Sequence, residues 1–184
     1  AYFTLLHQCG ALTLLMQPLA ALWISEKHSA VIQLLQNVSQ QSDNPVDRFA
    51  ALSMYLNTTQ INDLSDTIKV PNKYRQFALK VSSCVSYLST HQLDAQGILE
   101  LIRSNDAIRN NVVFHQAIAL IKLVHTQIAI EKAVLSLLED TLDAIVSIDN
   151  SWIKQGSYST SFIKQTIYAK QLQLVRQLVK RHVK

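Results

Sequence analysis

Apolar residues recur every three or four positions along nearly the whole chain, and residues that interrupt helices are scarce: three glycines and three prolines in 184 positions. Such spacing gathers apolar side chains on one face of a helix. A sheet protein of this length needs turn glycines at many hairpins. The pattern therefore predicts an all-α fold, an irregular multi-helix bundle with short connectors and enough chain to bury a core. No repeat is visible at the periods of helical solenoids, roughly 33 to 47 residues.

The few interruptions divide the chain. Phe3, Leu5, Leu6, Leu12, Leu14 and Leu15 predict a helix over 2–16, with Gly10 as a turn or a point of close packing. Pro18 restarts the chain, and Ser25 reads as the cap of a helix over 26–40. Asn44 before Pro45 is an N-cap with proline at the first helical position, opening a helix to Leu56. Asn57 begins a short helix through Ile68, and Pro71 opens a longer one carrying Tyr74, Phe77, Ala78, Val81, Val85 and Leu88. After a loop over 89–93, Asp94 caps the next helix, and two more cover 107–126 and 129–148. The polar stretch 149–161, with Gly156, reads as a hinge, and Thr160 or Ser161 as the cap of a last helix to the C-terminus.

Charge is distributed unevenly. Residues 1–150 carry ten Lys and Arg against thirteen Asp and Glu, whereas residues 151–184 carry seven Lys and Arg and no acid. We therefore divide the chain into a helical body, 1–150, and a basic tail helix, 151–184, packed on the body or extending from it. At about 100° per residue, Ile167, Tyr168, Leu172, Val175, Leu178 and Val179 share one face of the tail helix. Lys170, Arg176, Lys180 and Lys184 take the opposite face, with Arg181 at its margin. Together with Lys164 these are the candidate phosphate contacts. Each cation placed on a phosphate displaces a condensed counterion, so binding is expected to be salt-sensitive and blind to sequence. Tyr158 and Phe162 add the option of base stacking, although burial is the role expected of Phe162.

Catalytic chemistry is hard to place. His7, His28, His91, His115, His125 and His182 lack the i, i+4 pairing that sets two imidazoles on one helix face, so we read them as scattered core or surface histidines. Asp63 with Asp66, and Asp140 with Asp143, are i, i+3 carboxylate pairs of the kind that can hold Mg²⁺. With no phosphate cradle beside them, caps or solvated acids are the better reading. Cys9 and Cys84 lack CxxC spacing and read as buried, reduced thiols of a cytoplasmic protein. No run of eighteen apolar residues suggests a membrane span, and the first ten residues lack the basic start of a signal peptide.

Three segments carry a resemblance. Tyr2-Phe3-Thr4-Leu5-Leu6-His7-Gln8-Cys9-Gly10-Ala11-Leu12 resembles the FF.LLH.CGAL segment that follows the catalytic half of bacterial tRNA nucleotidyltransferases, the CCA-adding enzymes. Arg48-Phe49-Ala50-Ala51-Leu52 matches that family's RFAAL, and Val70-Pro71-Asn72 with Arg75 and Ala78 its VPN..R..A, in the same order. Residues 94–120 and 144–178 resemble its later helices more faintly. The resemblance implies a C-terminal helical body and tail, a fragment of a longer protein, that hold the acceptor arm of tRNA by its phosphate backbone. The chain's own N-terminal catalytic head, not present here, would add C, C and A from CTP and ATP with Mg²⁺.

Two departures stand out. Some relatives carry a metal-dependent phosphohydrolase site begun by His-Asp just after RFAAL, and here Met54-Tyr55 occupies those positions. A thioether and a phenol do not replace imidazole and carboxylate as ligands, so no catalytic residue, no metal ligand and no cofactor are expected in this chain. Ser159-Thr160-Ser161 replaces a glycine-containing turn of the tail, so only the basic helix is carried over. The related poly(A) polymerases share the architecture and remain an alternative. A non-catalytic helical adaptor, docking its tail on an acidic protein, is another.

Overall fold

The computed structural model describes residues 2–25, 27–91, 93–155 and 158–182, the last two residues of the 93–155 segment by backbone alone. Among them it is 78% helical with no strand. The helices are α1 (Tyr2–Gln8), α2 (Ala11–Leu15), α3 (Gln17–Ile24), α4 (His28–Gln41), α5 (Pro45–Ser53), α6 (Thr58–Thr67), α7 (Asn72–Thr90), α8 (Ala95–Ser104), α9 (Asn111–Val124), α10 (Lys132–Val146) and α11 (Thr160–His182). A short 3₁₀ turn, Ser151–Gln155, precedes α11.

The starts follow side-chain capping. Asn44 Oδ1 accepts from the Val46 N–H at 3.1 Å. Asn57 and Gln60 form a reciprocal capping box, both bonds at 2.9 Å. Asp94 Oδ1 accepts from the Gly97 N–H at 2.7 Å. Each such cap is worth about 1 kcal/mol. Two expected caps are corrected. Ser25 closes α3, its Oγ–H donating to the Leu22 carbonyl, and α4 starts later without a side-chain cap. Ser159, not Thr160 or Ser161, caps α11 by accepting from the Phe162 N–H.

The stops explain how a chain so poor in glycine makes so many turns. Lys69, Asp106 and Ala129 adopt positive φ of 56°, 50° and 53°. After each, the next N–H reaches back five residues: Val70 to Ser65, Ala107 to Ile102 and Ile130 to His125. This is the Schellman closure, usually made by glycine. Gly10 turns the chain between α1 and α2 at φ +75°, and a Cβ there would meet nothing within 4 Å, so it marks a turn rather than close packing. The left-handed residue at Asp106 also delays the helix expected from 107, so α9 starts at Asn111.

α7 packs against α5, α6 and α9, α4 bridges α5 and α9, and α10 lies on α9. One apolar core runs through these helices and α8, with Phe114, Leu56, Ile98, Leu99 and Ile118 fully buried. α11 joins the core at its middle, against α8 and α10. No described helix is long and apolar enough to cross a membrane.

Of the two thiols, Cys84 is buried as expected, but Cys9 is exposed. It sits just after α1, a helix that buries no residue of its own. Burial pushes the Cys84 thiol up to about 12. One thiol per folded chain is therefore expected to react with a thiol reagent at pH 8, the second only in denaturant, counted by absorbance. The sign for stability follows: unfolded Cys84 loses its proton near pH 8.5 while folded Cys84 keeps it. Its contribution is complete below that pH and declines by about 1.4 kcal/mol per pH unit towards about 12.

Candidate nucleic-acid interface

Three side chains seat α11. Val175 and Gln171 are its only buried residues among those described, and Ile167, Leu172, Leu178 and Val179 are half-buried beside them. Gln171 lies four residues before Val175, on the docking face itself. Its Oε1 accepts from Arg103 Nη1 of α8 at 2.8 Å, and the Arg103 guanidinium also lies 5.3 Å from the centre of the Tyr168 ring. At the far end His182 Nε2 meets Asp140 Oδ2 of α10 at 3.2 Å. The register of the helix, and hence what faces water, is fixed by these contacts. Tyr168, expected on the buried face, lies at its edge, where Arg103 reaches over the ring.

Lys170, Arg176, Lys180 and Arg181 are exposed on the outer side of α11. Lys164 is exposed too, but the structure does not bring it into that stripe. It precedes Val175 by eleven residues, close to three full turns, and so lies on the docking side where α11 buries nothing in its first turns. Lys184 and the hinge expected at Gly156 lie outside the described residues. The Lys170 ammonium stands 4.9 Å from the centre of the Trp152 ring, a cation–π contact that sequence reasoning missed. Below it, Asp149 accepts from the Ser151 N–H and Oγ–H, both at 2.8 Å. Those two bonds, and then the Lys170 charge, hold its carboxyl below the usual range.

Phe162 departs from expectation: it is 48% exposed, not buried. Its ring stacks on Tyr158 with centroids 5.3 Å apart, and Tyr158 meets the edge of Trp152 at 5.4 Å. Gln171, Arg103 and Trp152 were the residues not singled out from sequence. Gln171 was findable, since a polar residue at the centre of an apolar stripe needs a partner. Its partner, 68 residues away in sequence, was not.

Of the four carboxylates in the expected pairs, three bridge helices, and no ion pair is made by Asp63 among the described residues. Asp66 meets Arg75, Asp143 accepts from or pairs with His115 at 2.9 Å, and Asp140 meets His182. No group of three or more His, Cys, Asp or Glu among the described residues is placed to hold a metal. Met54 is buried at the end of α5, and with Tyr55 and Leu56 it lines a cleft of about 440 Å³. Ser82 and Val85 of α7 and Ile128 complete its wall. Ser82 Oγ–H donates to the Leu56 carbonyl at 2.6 Å, and burial raises the Tyr55 phenol.

An all-helical body with an acid-free cationic helix docked on its side is the class of protein that fold and site define. The chain is 24% identical over 179 residues to the CCA-adding enzyme of Coxiella burnetii, both in strain RSA 331 / Henzerling II and in strain RSA 493 / Nine Mile phase I. The alignment takes in 97% of this chain and 45% of each relative, so the chain spans a little under half their length. No family model matches, and no solved structure matches. The similarity to CCA-adding enzymes is thus distant but runs along almost the whole chain.

Proposed function

We propose that this chain is the RNA-holding helical part of a cytoplasmic tRNA nucleotidyltransferase that adds or repairs the 3′-CCA end of tRNA. In this reading α11 lays Lys170, Arg176, Lys180 and Arg181 along the phosphates of the acceptor arm, and a catalytic head outside this chain supplies nucleotide transfer from CTP and ATP with Mg²⁺. The observation that carries it is the acid-free outer face of α11, on a chain similar along 97% of its length to CCA-adding enzymes. The body contributes geometry rather than chemistry: Met54 and Tyr55 stand where some members of the resembled family place metal ligands, and we assign no catalytic residue.

Phosphate contacts of this kind predict their own salt dependence. With these four cations engaged, tRNA affinity should fall about 100-fold between roughly 50 and 200 mM salt. Fluorescence anisotropy with labelled tRNA reads this directly. Binding that is absent at low salt, or indifferent to salt, overturns the proposal.

A further inference from the structure

The aromatic residues before and within α11 belong to its basic side. Phe162 and Lys180 are eighteen residues apart, five full turns at about 3.6 residues each, so they project from the same side of the helix. Phe162 is 48% and Tyr158 45% exposed, and their rings lie only 21° from parallel. Trp152 props Tyr158 edge-on, at 66°. Its own indole face is engaged by the Lys170 ammonium, so the open π-surface is that of the Tyr158–Phe162 pair. Lys170 follows Phe162 by eight residues, about 12 Å along the axis. Nothing acidic lies within 151–184, and the nearby carboxylate, Asp149, is engaged by Ser151 and faces Lys170.

We propose that the Tyr158–Phe162 pair is a stacking platform for unpaired nucleobases of an RNA strand whose phosphates run on to Lys170, Arg176 and Lys180. This rests on the RNA-binding reading and deepens it, since phosphate contacts alone do not tell paired from unpaired RNA. A flat aromatic surface at one end of a cationic stripe matches a ligand with flat rings on an anionic backbone. An apolar protein surface would leave the stripe unused, and a duplex keeps its base faces stacked internally. The platform therefore favours loops and single-stranded ends.

The test compares a single-stranded RNA oligonucleotide with a blunt duplex of equal length, using the whole chain. Phe162→Leu and Tyr158→Leu keep the apolar bulk and remove the π-faces. Single-strand affinity is expected to fall about 5- to 100-fold in the double variant, with duplex affinity within about twofold and the melting temperature unchanged. In a Trp23→Phe background, Trp152 fluorescence is expected to change with the single strand and not with inorganic polyphosphate. Equal loss on both RNAs, or no loss on either while substitution of Lys180 still weakens binding, overturns the platform and leaves the phosphate reading standing. Concentration-dependent self-association that Phe162→Leu abolishes, seen by sedimentation, assigns the pair to a second copy of the chain and likewise overturns it. An absence of all RNA binding removes both.

Discussion

Reversing three charges on α11, Lys170→Glu, Arg176→Glu and Lys180→Glu together, is expected to weaken tRNA binding by about 1000-fold at low salt. Each lysine or arginine on a phosphate contributes on the order of 1–2 kcal/mol through a charge-assisted hydrogen bond and counterion release, and each new carboxylate adds repulsion. The slope of log affinity against log salt should shrink by about three. Folding should be nearly untouched, because all three side chains are exposed and none forms an ion pair among the described residues. The change does remove the Lys170 ammonium from the Trp152 ring, an interaction worth about 0.5–1 kcal/mol at such a site. Anisotropy for binding and circular dichroism for melting separate the two effects. An adaptor for an acidic protein would give the opposite result, with RNA affinity unchanged and its partner released.

How much of this was legible in sequence depends on how local the cause is. The starts of α5, α6 and α8 were, because Asn44, Asn57 and Asp94 each bond a backbone N–H two or three residues on. α5 was expected to reach Leu56 but stops at Ser53, because Asn57 must be extended, with ψ 173°, to cap the next helix. The ends at Lys69, Asp106 and Ala129 were not legible: nothing in a lysine or an alanine announces a left-handed conformation, which the surrounding fold imposes at about 1–2 kcal/mol each. The basic stripe was readable because a helix repeats its faces regularly. The exposure of Phe162 follows from the same repeat, since it lies five turns from Lys180 on the basic side, whereas the depth at which α8 and α10 bury Val175 was not readable. A similar limit applied to Cys9, which sits just after a helix that looks amphipathic in isolation yet fully buries no residue of its own.

Val175→Asp tests whether the stripe works by charge alone or by being held in place. Val175 is fully buried between α11 and the body. An unpaired carboxylate there costs about 3–5 kcal/mol. Releasing α11 costs less than unfolding the body, because this helix buries only Gln171 and Val175 fully, whereas α5 and α7 pack into the main core. The substitution should therefore undock α11 and leave the rest folded, so that hydrogen exchange rises across 160–182 and stays slow in α5, α7 and α9. Every cation of the stripe remains. A detached helix of this length is only marginally stable in water, so its cations lose their common face. Affinity for tRNA is then expected to fall about tenfold with the salt slope largely kept, in contrast to charge reversal, which lowers both. Unchanged affinity in a chain whose α11 exchanges freely would mean that the cations act as a flexible tail, and the Arg103–Gln171 clamp would then have no part in presenting them to RNA.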